Sequence, residues 1–445
     1  MKKVDVLLIY EHKNRELENC ALIAAELERR GLTTKVFYNY TAPIRNNYEA
    51  KVIIAPHLYN DLHLEFYTRN KKQSNRNAIS MQYEQITPSE LEEGYTNPVG
   101  QAMRAHHIAW GQYQADRYLR NGINPNNVHD TGCVSMDLYR TEFKSYFLTK
   151  EQVAQQFGID KDKEWVLFIS SFVLVDCSKE KVERLRGVIP SIDTHVSLNE
   201  ESFSQIIKWF GEAAKRFPDK LFIYRKHPSE KLSPRVLKLM ETTPNIKCID
   251  SFTIRQWAIV TDKIYNWIST SQADIFFARK SSYVLRPIPI PPEMDVVMFG
   301  GGKYVTTYEE FLSSLTKEEY NSPIQEDKMK YYYSNTETGE MAYEKIADVC
   351  ESLIADPNLG SDFHFKKKNV LSFVKDWYDV CIYQYGKKIK TSEGVIHFLK
   401  TIPFCKTLAA KLEMFNQELY GFDKIYSEYY IRFRDLLNSK HSNGK

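Results

Sequence analysis

Mostly apolar runs alternate with amphipathic segments through the first two thirds of the chain. Residues 4–10 form a run of the kind that fills a buried strand, and residues 33–38 form a second one. Between them, residues 17–30 carry apolar side chains at helical spacing, and Gly31 marks the end of the predicted helix. This order of strand, helix and strand predicts a βαβ unit and therefore a parallel sheet.

The same alternation continues and then starts again near the middle of the chain. Further strands are predicted at residues 51–55, 78–81 and 128–131, and helices at 136–139 and 151–157. A second series has strands at 165–171, 221–224, 246–249, 263–268 and 282–285, with helices at 201–217, 254–260 and 272–279. Two such series predict an α/β fold with two Rossmann-like domains that face a cleft. Residues 177–199 show no clear period and are predicted to be a loop insertion, whereas His106 and His107 fall on a helical pattern.

The last quarter of the chain has a different, mostly helical character. Helices are predicted at residues 341–355, 370–385, 393–404 and 408–437. We therefore predict domains at 1–150 and 163–335, and a helical extension at 336–445 that packs back on the N-terminal half. A membrane-surface role is the alternative for the extension, because lysines at 366–368 and 387–388 flank aromatic faces. Packing is the commoner use of such faces.

Length, charge and cysteine usage limit the class of protein. With 445 residues the chain exceeds what one hydrophobic core usually supports, in agreement with two domains and an appendage. The formal net charge of +3 is nearly balanced, so we expect no nucleic-acid partner. The seven cysteines are scattered without a CxxC pair, which argues against a zinc site or a disulfide framework. Since neither a signal-peptide pattern nor a membrane-spanning apolar run is found, we expect a cytoplasmic protein, at most peripheral to the inner face of the cell membrane.

The most informative motif follows a strand of the second series. Arg225, Lys226 and His227 come directly after it, followed by Pro228 and then Glu230. In α/β sheets, ligands bind outside the carboxyl ends of strands, where loops present polar groups from a rigid base. Pro228 cannot continue the strand and restricts His227 to an extended conformation. The cationic cluster is suited to a phosphate or diphosphate, with a solvated loop as the alternative.

A second motif lies at the start of the predicted helix 272–279. Ser269, Thr270 and Ser271 place three hydroxyls where the helix leaves free backbone N–H groups, which together favour an anion. Capping of the helix by Ser271, paired with Asp274, is the alternative use of one of these hydroxyls. Three hydroxyls in a row exceed what capping requires, so we predict that this turn and the cationic turn hold one phosphate.

A third motif leads from the first strand into its helix. No GxGxxG pattern is present, so a dinucleotide phosphate loop is not predicted. The turn offers instead carboxylates, an imidazole and two cations, namely Glu11, Glu16, His12, Lys13 and Arg15. A glutamate at a helix start can serve as a cap, which would explain Glu16 but not Glu11, His12 or Arg15.

Several residues are weaker candidates. Glu84 follows a predicted strand and is positioned like a catalytic or acceptor-binding carboxylate, with a surface loop as an equal alternative. Lys13 and Glu230 are further candidates for the cleft, while His57 is more readily explained by structure alone. The glycines at 300–302 form a flexible loop but lack the lysine and hydroxyl of a P-loop. We predict no metal site, because histidines and carboxylates at ligand spacing are missing from the sequence pattern.

Four motifs in this order carry a resemblance to a known family: residues 10–18, 131–138, 166–175 and 224–230. The chain resembles bacterial surface-carbohydrate biosynthesis proteins, which are glycosyltransferases of the GT-B type. The His-Pro pair in the last motif is similar to that of polysialyltransferases, of capsule transferases that use CMP-activated sugars such as Kdo, and of polymerases that use CDP-glycerol. The resemblance covers about the first 290–300 residues.

The chain also departs from the family pattern. Cys133 and Val134 stand where the turn at the domain junction has Asn and Pro in many relatives. Gln272 and Ala273 stand where many relatives place a glutamate for the donor ribose, so the nucleotide is not identified.

The resemblance implies transfer of a sugar from a nucleotide-activated donor of the CMP, CDP or UDP type, a co-substrate and not a cofactor. The acceptor would be a glycan or lipid-linked glycan of a capsule, lipopolysaccharide or exopolysaccharide, bound by domain 1–150, with the donor bound by domain 163–335. It implies that the donor phosphate is contacted, without a metal, by Arg225, Lys226, His227, Ser269, Thr270 and Ser271.

The acceptor hydroxyl needs a general base, for which Glu11, Glu16 and His12 are the candidates, with Arg15 orienting the base or the acceptor. Two other functions stay open at this point. One is a polyol-phosphate transferase that uses a CDP-alcohol, and the other is a non-catalytic scaffold of polysaccharide assembly.

Overall fold

The computed structural model describes residues 1–69, 74–75, 77–91, 97–187, 189–336, 339–365 and 370–442. These residues form two compact units. Unit 1 comprises Met1–Gln85, Gly94–Phe143 and Tyr331–Lys445, and unit 2 comprises Ile86–Glu93 and Lys144–Lys330. The lysines at 366–368, which the sequence associates with a membrane surface, lie outside the described residues.

The elements are numbered along the chain. The strands are β1 (Lys2–Tyr10), β2 (Thr34–Tyr38), β3 (Tyr48–Ala55), β4 (Ser74–Asn75), β5 (Ala78–Ser80), β6 (His106–Ala109), β7 (Val128–Asp130), β8 (Glu164–Ile169), β9 (Lys220–Arg225), β10 (Ile246–Cys248), β11 (Lys263–Asn266), β12 (Ser281–Leu285), β13 (Tyr304–Val305) and β14 (Phe363–His364). The helices are α1 (Glu18–Arg29), α2 (Ala42–Arg45), α3 (Asp61–Thr68), α4 (Gln112–Arg120), α5 (Val134–Asp137), α6 (Lys150–Phe157), α7 (Lys179–Arg186), α8 (Ile192–Arg216), α9 (Pro234–Thr242), α10 (Ile254–Val260), α11 (Gln272–Phe277), α12 (Tyr308–Thr316), α13 (Glu326–Tyr332), α14 (Ala342–Ala355), α15 (Val370–Lys388), α16 (Glu393–Thr401), α17 (Lys406–Glu418) and α18 (Phe422–Ser442).

Unit 1 is built on a parallel sheet with strand order β2-β1-β3-β5-β6-β7. The apolar residues at the carboxyl end of β1 are buried on both faces of the sheet, as in sheets that helices cover on both sides. Leu8 pairs with Ile54, and Ile54 pairs with Ile79. Because of this register, β1, β3 and β5 end side by side at one edge.

Unit 2 contains a second parallel sheet, with strand order β10-β9-β8-β11-β12-β13. Phe203 and Phe210 of α8 belong to one of its buried apolar clusters, and Trp257 of α10 belongs to another with Trp165 of β8. Such burial of aromatic side chains is the main source of stability for a sheet covered by helices.

Residues 86–91 belong to unit 2, although residues 77–85 and 97–143 on either side belong to unit 1. Thr87 O accepts a hydrogen bond from Val297 N at 3.3 Å, and Pro88 forms an isolated antiparallel bridge with Val296. Glu90 Oε1 lies 2.6 Å from His195 Nε2. The apolar pattern of the sequence gives no indication of these contacts.

The helices after residue 331 complete unit 1. Both α14 and α18 pack against α1. Arg30, directly after α1, donates a hydrogen bond to Glu351 Oε2 at 2.7 Å and also bonds Asp348. Lys440 of α18 donates to Glu344 Oε1 of α14 at 2.8 Å. The C-terminal region is thus joined to the first βαβ unit through both apolar and charged contacts.

The turn at residues 131–138 fixes the start of α14. Gly132 has φ +90°, and a Cβ at this position would lie 2.6 Å from Asn335 Cγ. Asn335 Nδ2 donates to Asp137 Oδ1 at 2.7 Å, and Asp137 Oδ2 accepts from Tyr343 N at 3.0 Å. Burial raises the pKa of Asp137 to about 7, against the effect of these donors. The turn therefore acts as a cap for α14.

Three expectations about elements were wrong. His106 and His107 lie on β6 and not on a helix; the buried His107 Nε2 bonds Ala102 O at 3.0 Å, and burial lowers its pKa to about 3, which keeps the ring neutral. Residues 177–199 contain α7 and the first turns of α8, whose exposed face is polar. Residues 408–437 contain two helices, because the chain breaks at Gly421 with φ +74°. Within the described ranges, each helix is either too short or too polar to cross a bilayer.

Candidate functional site

Polar side chains gather at the carboxyl edge of the unit 1 sheet. The chain leaves β1 through Glu11 and His12 and passes through a π-helical turn, Lys13–Leu17, before α1 begins. His57 follows the end of β3, and Glu84 follows the end of β5. Because β1, β3 and β5 end side by side, the edge gathers residues that are distant in the sequence.

Glu16 holds the turn together. Its side chain is fully buried, and its Oε2 atom accepts hydrogen bonds from the backbone N–H of Glu11 at 2.7 Å and of His12 at 3.4 Å. Its Oε1 atom accepts from Arg15 Nη2 at 2.7 Å and Nε at 3.0 Å. The hydrogen bonds of this buried carboxylate are thus made within the turn itself, and they hold the turn in place.

Arg15 connects the turn with the loop after β5. Its Nη1 atom donates to Glu84 Oε1 at 2.9 Å, while the Glu84 side chain is half-exposed. Burial alone would lower the pKa of Arg15, but the charges of Glu16 and Glu84 raise it above its ordinary value. Arg15 is therefore a fixed cation at this edge.

Glu11 is, besides Glu84, a solvent-accessible carboxylate of the group. Its side chain is 29% exposed, and Oε2 lies 3.5 Å from His57 Nδ1. Burial, followed by the neighbouring charge of Glu16, raises the pKa of Glu11. The His57 ring stacks on Tyr59 with 4.6 Å between ring centroids, and its Nε2 lies 3.3 Å from the Tyr67 hydroxyl. Burial lowers the pKa of His57 to about 3, so the ring beside Glu11 is neutral.

The C-terminal region contributes a carboxylate to the same edge. Glu418, the last residue of α17, accepts a hydrogen bond from Lys13 N at 2.6 Å, and its Oε1 lies 3.6 Å from His12 Nδ1. This contact raises the pKa of His12, while burial lowers the pKa of Lys13. The Tyr10 hydroxyl donates to the backbone oxygen of Glu418 at 2.9 Å. The turn is thus held both by Glu16, within the segment that follows β1, and by Glu418 at the end of α17.

A second polar group lies at the carboxyl edge of the unit 2 sheet. Ile169 of β8 pairs with Arg225 of β9 on one side and with Asn266 of β11 on the other. The turns that follow these three strands therefore start at the same level. They are residues 170–171, 226–230 and 267–271.

The two cations at the end of β9, Arg225 and Lys226, have partners in the loop after β10. Arg225 donates from Nη2 to Phe252 O at 2.6 Å and from Nη1 to Ser251 O at 3.1 Å. Burial lowers the pKa of Arg225 to about 10, which leaves the guanidinium charged at neutral pH. Lys226 Nζ lies 3.2 Å from Asp250 Oδ2. Phe252 has φ +66°, so Arg225 stabilises a strained loop.

Glu230 fixes the orientation of the His227 turn. Glu230 is buried, and Oε1 accepts from the Tyr224 hydroxyl at 2.6 Å while Oε2 accepts from Ser170 Oγ at 2.5 Å. Oε2 also accepts from His227 N at 3.3 Å. His227 itself is exposed, and its Nδ1 accepts from Ser229 N at 3.1 Å, which assigns the ring proton to Nε2. Glu230 is a support for the turn.

The hydroxyl turn after β11 is only partly used by the fold. Ser269 Oγ accepts from Ser271 N at 3.3 Å. Ser271 is the N-cap residue of α11, yet its side chain makes no capping hydrogen bond, so the alternative of a capping pair with Asp274 is not observed. Thr270 is exposed, and Ser271 is half-buried. The hydroxyls of Thr270 and Ser271 make no hydrogen bond to another described residue in the structure.

Sequence patterns identify some of these residues but not others. Glu418 and Ser170 could not be found from the sequence, because each acts on a turn far from it in the chain. Tyr67 lies inside α3 and looks like an ordinary core residue. Among the described residues, no group of three or more histidines, cysteines and carboxylates is placed to hold a metal ion.

Comparison with known proteins gives a structural likeness. No protein-family model matches the chain, and no curated protein sequence matches it either. The wall teichoic acid polymerase TagF matches with a TM-score of 0.50 and 11% identity over 80% of this chain and 89% of that one. UDP-GlcNAc 2-epimerases from Neisseria meningitidis, bound to UDP-GlcNAc, and from Methanocaldococcus jannaschii, in complex with UDP-GlcNAc and UDP, match with TM-scores of 0.45. Their identities are 15% and 14%, over 80% and 79% of this chain and 100% and 99% of theirs.

At such identities the likeness is one of fold. The predicted α/β fold of the GT-B type is confirmed, with two Rossmann-like parallel sheets and a helical C-terminal region. Function has to be argued from the residues of this chain.

Proposed function

We propose that the chain is a glycosyltransferase that moves a sugar from a nucleotide-activated donor to a bacterial surface glycan. The observation that carries this proposal is the register of the unit 2 sheet, in which Arg225 and Asn266 both pair with Ile169. Neighbouring strands lie about 4.8 Å apart, so the turns after β9 and β11 start roughly 10 Å from each other. Side chains of both turns can therefore contact one phosphate-containing ligand.

The chemistry of these turns suits a leaving nucleotide. Breaking the bond between the sugar and the donor phosphate leaves negative charge on a phosphoryl oxygen, which cations and N–H or O–H donors stabilise. Arg225 and Lys226 supply positive charge, and His227 carries its proton on Nε2. The hydroxyls of Thr270 and Ser271 supply further donors.

Unit 1 supports the assignment of a general base. As the acceptor oxygen forms its bond to the sugar, its proton has to move to a base, and we assign this task to Glu11. Glu11 is accessible and its pKa is raised, whereas Glu16 is buried and bonded within the turn. Arg15, held by Glu16 and Glu84, orients the acceptor or the base.

A nucleotide panel tests the proposal. The native chain is heated with UDP, CMP, CDP or GDP, and we expect one nucleotide to raise the unfolding temperature. His227→Ala and Thr270→Ala should lose most of this increase, because both side chains are exposed and their removal leaves the sheet intact. Lys247→Ala, an exposed lysine on the neighbouring β10, is the matched control and should keep the full increase.

The same panel, combined with turnover assays on candidate donors, separates the alternatives. Turnover of a CDP-alcohol, with no turnover of any nucleotide sugar, would assign a polyol-phosphate transferase. If no nucleotide stabilises the native chain, a non-catalytic scaffold is favoured and the proposal is contradicted. Unchanged turnover of a matched donor in Arg225→Ala, Lys226→Ala and His227→Ala would remove the role assigned to these three residues.

A further inference from the structure

Helix α15 exposes an apolar stripe. Val374, Trp377, Tyr378, Cys381 and Tyr385 follow helical spacing and are all exposed, with 62% of Val374 and 70% of Trp377 accessible to solvent. Residues at this spacing lie on one face of a helix. A stripe of this kind normally packs against another element.

The core-facing side of α15 is already occupied. Tyr383 is buried, and Gly386 lies so near α17 that a Cβ on it would come within 2.7 Å of the Phe415 ring. Ile382 packs against the cluster formed by Ile396 of α16 and Leu412 of α17. The exposed stripe is therefore a second apolar face, beyond the one that joins α15 to unit 1.

The segment after α15 continues this exposure. Ile389 and Val395 are half-exposed, 63% of Phe398 is accessible, and Phe404 is 97% exposed in the short 3-10 turn between α16 and α17. Exposed aromatic and aliphatic residues concentrated in one region mark a contact surface more often than scattered ones do.

The same segment is basic. Residues 370–405, which hold α15, α16 and the 3-10 turn Pro403–Cys405, contain five lysines and three carboxylates, a net charge of +2. Lys387 and Lys400 are paired with Asp423 and Glu413, which lie outside this range. Lys375, Lys388 and Lys390 are exposed, and the last two flank Ile389. Lysines beside exposed tryptophan and phenylalanine are typical of segments that lie in the interface of an anionic bilayer.

We infer that α15, α16 and the 3-10 turn before α17 form a docking surface for an anionic lipid membrane. The aromatic and aliphatic side chains would enter the boundary between headgroups and acyl chains, and the lysines would contact the anionic headgroups. A second copy of the chain is the less suitable occupant, because a symmetric contact would bring two identical basic surfaces together. This inference stands apart from the nucleotide chemistry of unit 2.

Sedimentation with lipid vesicles tests the inference on the full chain. We expect binding to vesicles of phosphatidylglycerol and phosphatidylcholine in equal parts, and much weaker binding to vesicles of phosphatidylcholine alone. Trp377→Ser and Phe404→Ser should each lower the partition coefficient between vesicles and water roughly tenfold, because each removes an aromatic side chain that would be buried in the membrane interface. Lys388→Glu with Lys390→Glu should lower binding to the anionic vesicles by a similar factor or more.

Matched controls keep the test specific. Leu62→Ser removes an equally exposed apolar side chain from α3 of the same unit, and Tyr320→Ser removes an exposed aromatic side chain from unit 2; neither should change binding. All of these side chains are exposed, so the variants should keep the native unfolding temperature. Absence of binding by the native chain, equal binding by Trp377→Ser and Phe404→Ser, or dimerisation through this surface in place of lipid binding would overturn the inference.

Discussion

Glu11 and Glu16 carry the same chemical group, and the turn between them gives the two carboxylates different surroundings. Glu16 is fully buried and both of its oxygens accept hydrogen bonds, whereas Glu11 is partly exposed beside a neutral imidazole. Two carboxylates whose environments differ in this way can serve different purposes, one structural and one chemical.

Glu11→Gln tests the chemical role. We expect kcat to fall by roughly 10²–10⁴-fold, the usual contribution of a general base, with little change in the KM of the donor. Because the base has to be ionised and the pKa of Glu11 is raised, kcat/KM of the native chain should increase with pH above the range of an ordinary glutamate. That increase should be missing from the variant. Glu142→Gln, an exposed glutamate of the same unit, should behave as the native chain does, and a normal kcat in Glu11→Gln would exclude this base.

Glu16→Ala tests the structural role. Removal of this carboxylate leaves the N–H of Glu11 and one side of Arg15 without an acceptor, so we expect the free energy of unfolding to fall by about 2–3 kcal/mol. Glu84→Ala removes the half-exposed partner of the same arginine and should cost less than about 1 kcal/mol. Denaturant unfolding measures both, and equal effects of the two substitutions would contradict the difference in burial on which the prediction depends.

At the residue level, the sequence indicates where strands end, but it does not indicate which residues form hydrogen bonds with one another. The order of an apolar run, two cations and a His-Pro pair indicates where Arg225 and His227 lie, since strand ends in parallel sheets are also edges of the sheet. Nothing in that order indicates that Arg225 bonds the backbone oxygens at 251–252 or that Ser170 bonds Glu230. Such partners depend on tertiary packing.

At the level of elements, the end of α17 is the most unexpected contributor to the unit 1 edge. Glu418 contacts both His12 and Lys13 although about 400 residues separate them. No local pattern marks Glu418, because its role arises from the packing of the C-terminal helices. The contact couples the position of α17 to the ionisation of His12.

Glu418→Gln should lower the pKa of His12, which is raised by the Glu418 contact. A histidine whose folded pKa lies above its unfolded value of about 6.5 adds stability below that value and loses it as the pH rises through the folded pKa. The variant should therefore lose more stability near about pH 5.5 than near about pH 8.5. Titration of His12 by NMR and unfolding at both pH values measure the effect. Asp61→Asn, an exposed carboxylate of unit 1, is the control, and an unchanged His12 pKa in Glu418→Gln would refute the coupling.

The elements with strong apolar periodicity were predicted within a few residues. β1, β8 and β9 agree with their apolar runs because burial on both faces of a sheet leaves a continuous signal. β6 was missed because two neutral histidines take the place of aliphatic residues in it. The start of α8 was missed because its first turns are largely polar and exposed.

At the level of the whole molecule, the C-terminal region belongs to the core of unit 1. Phe143 is buried between Tyr343 of α14 and Phe433 of α18, with ring centroids 6.0 and 6.2 Å away and edge-on geometry. The sequence shows amphipathic helices after residue 336 but not which apolar face is buried, since α15 has two such faces. The assignment of residues 86–91 to unit 2 likewise depends on contacts that no periodicity in the sequence indicates.

Phe433→Ala should destabilise unit 1 and leave unit 2 unaffected. The side chain is fully buried, so its loss creates a cavity between α18 and Phe143, and we expect the free energy of unfolding of unit 1 to fall by about 3–5 kcal/mol. Phe404→Ala provides a matched control in the same region, because that ring is 97% exposed and its removal should leave stability unchanged. Calorimetry, with the nucleotide that binds unit 2 added to identify the second transition, separates the two units. A single transition with a lower unfolding temperature would mean that the two units unfold together. An unaltered transition of unit 1 would mean that α18 does not stabilise its sheet. If only the unfolding temperature of unit 1 falls, the C-terminal helices are part of the domain that carries Glu11.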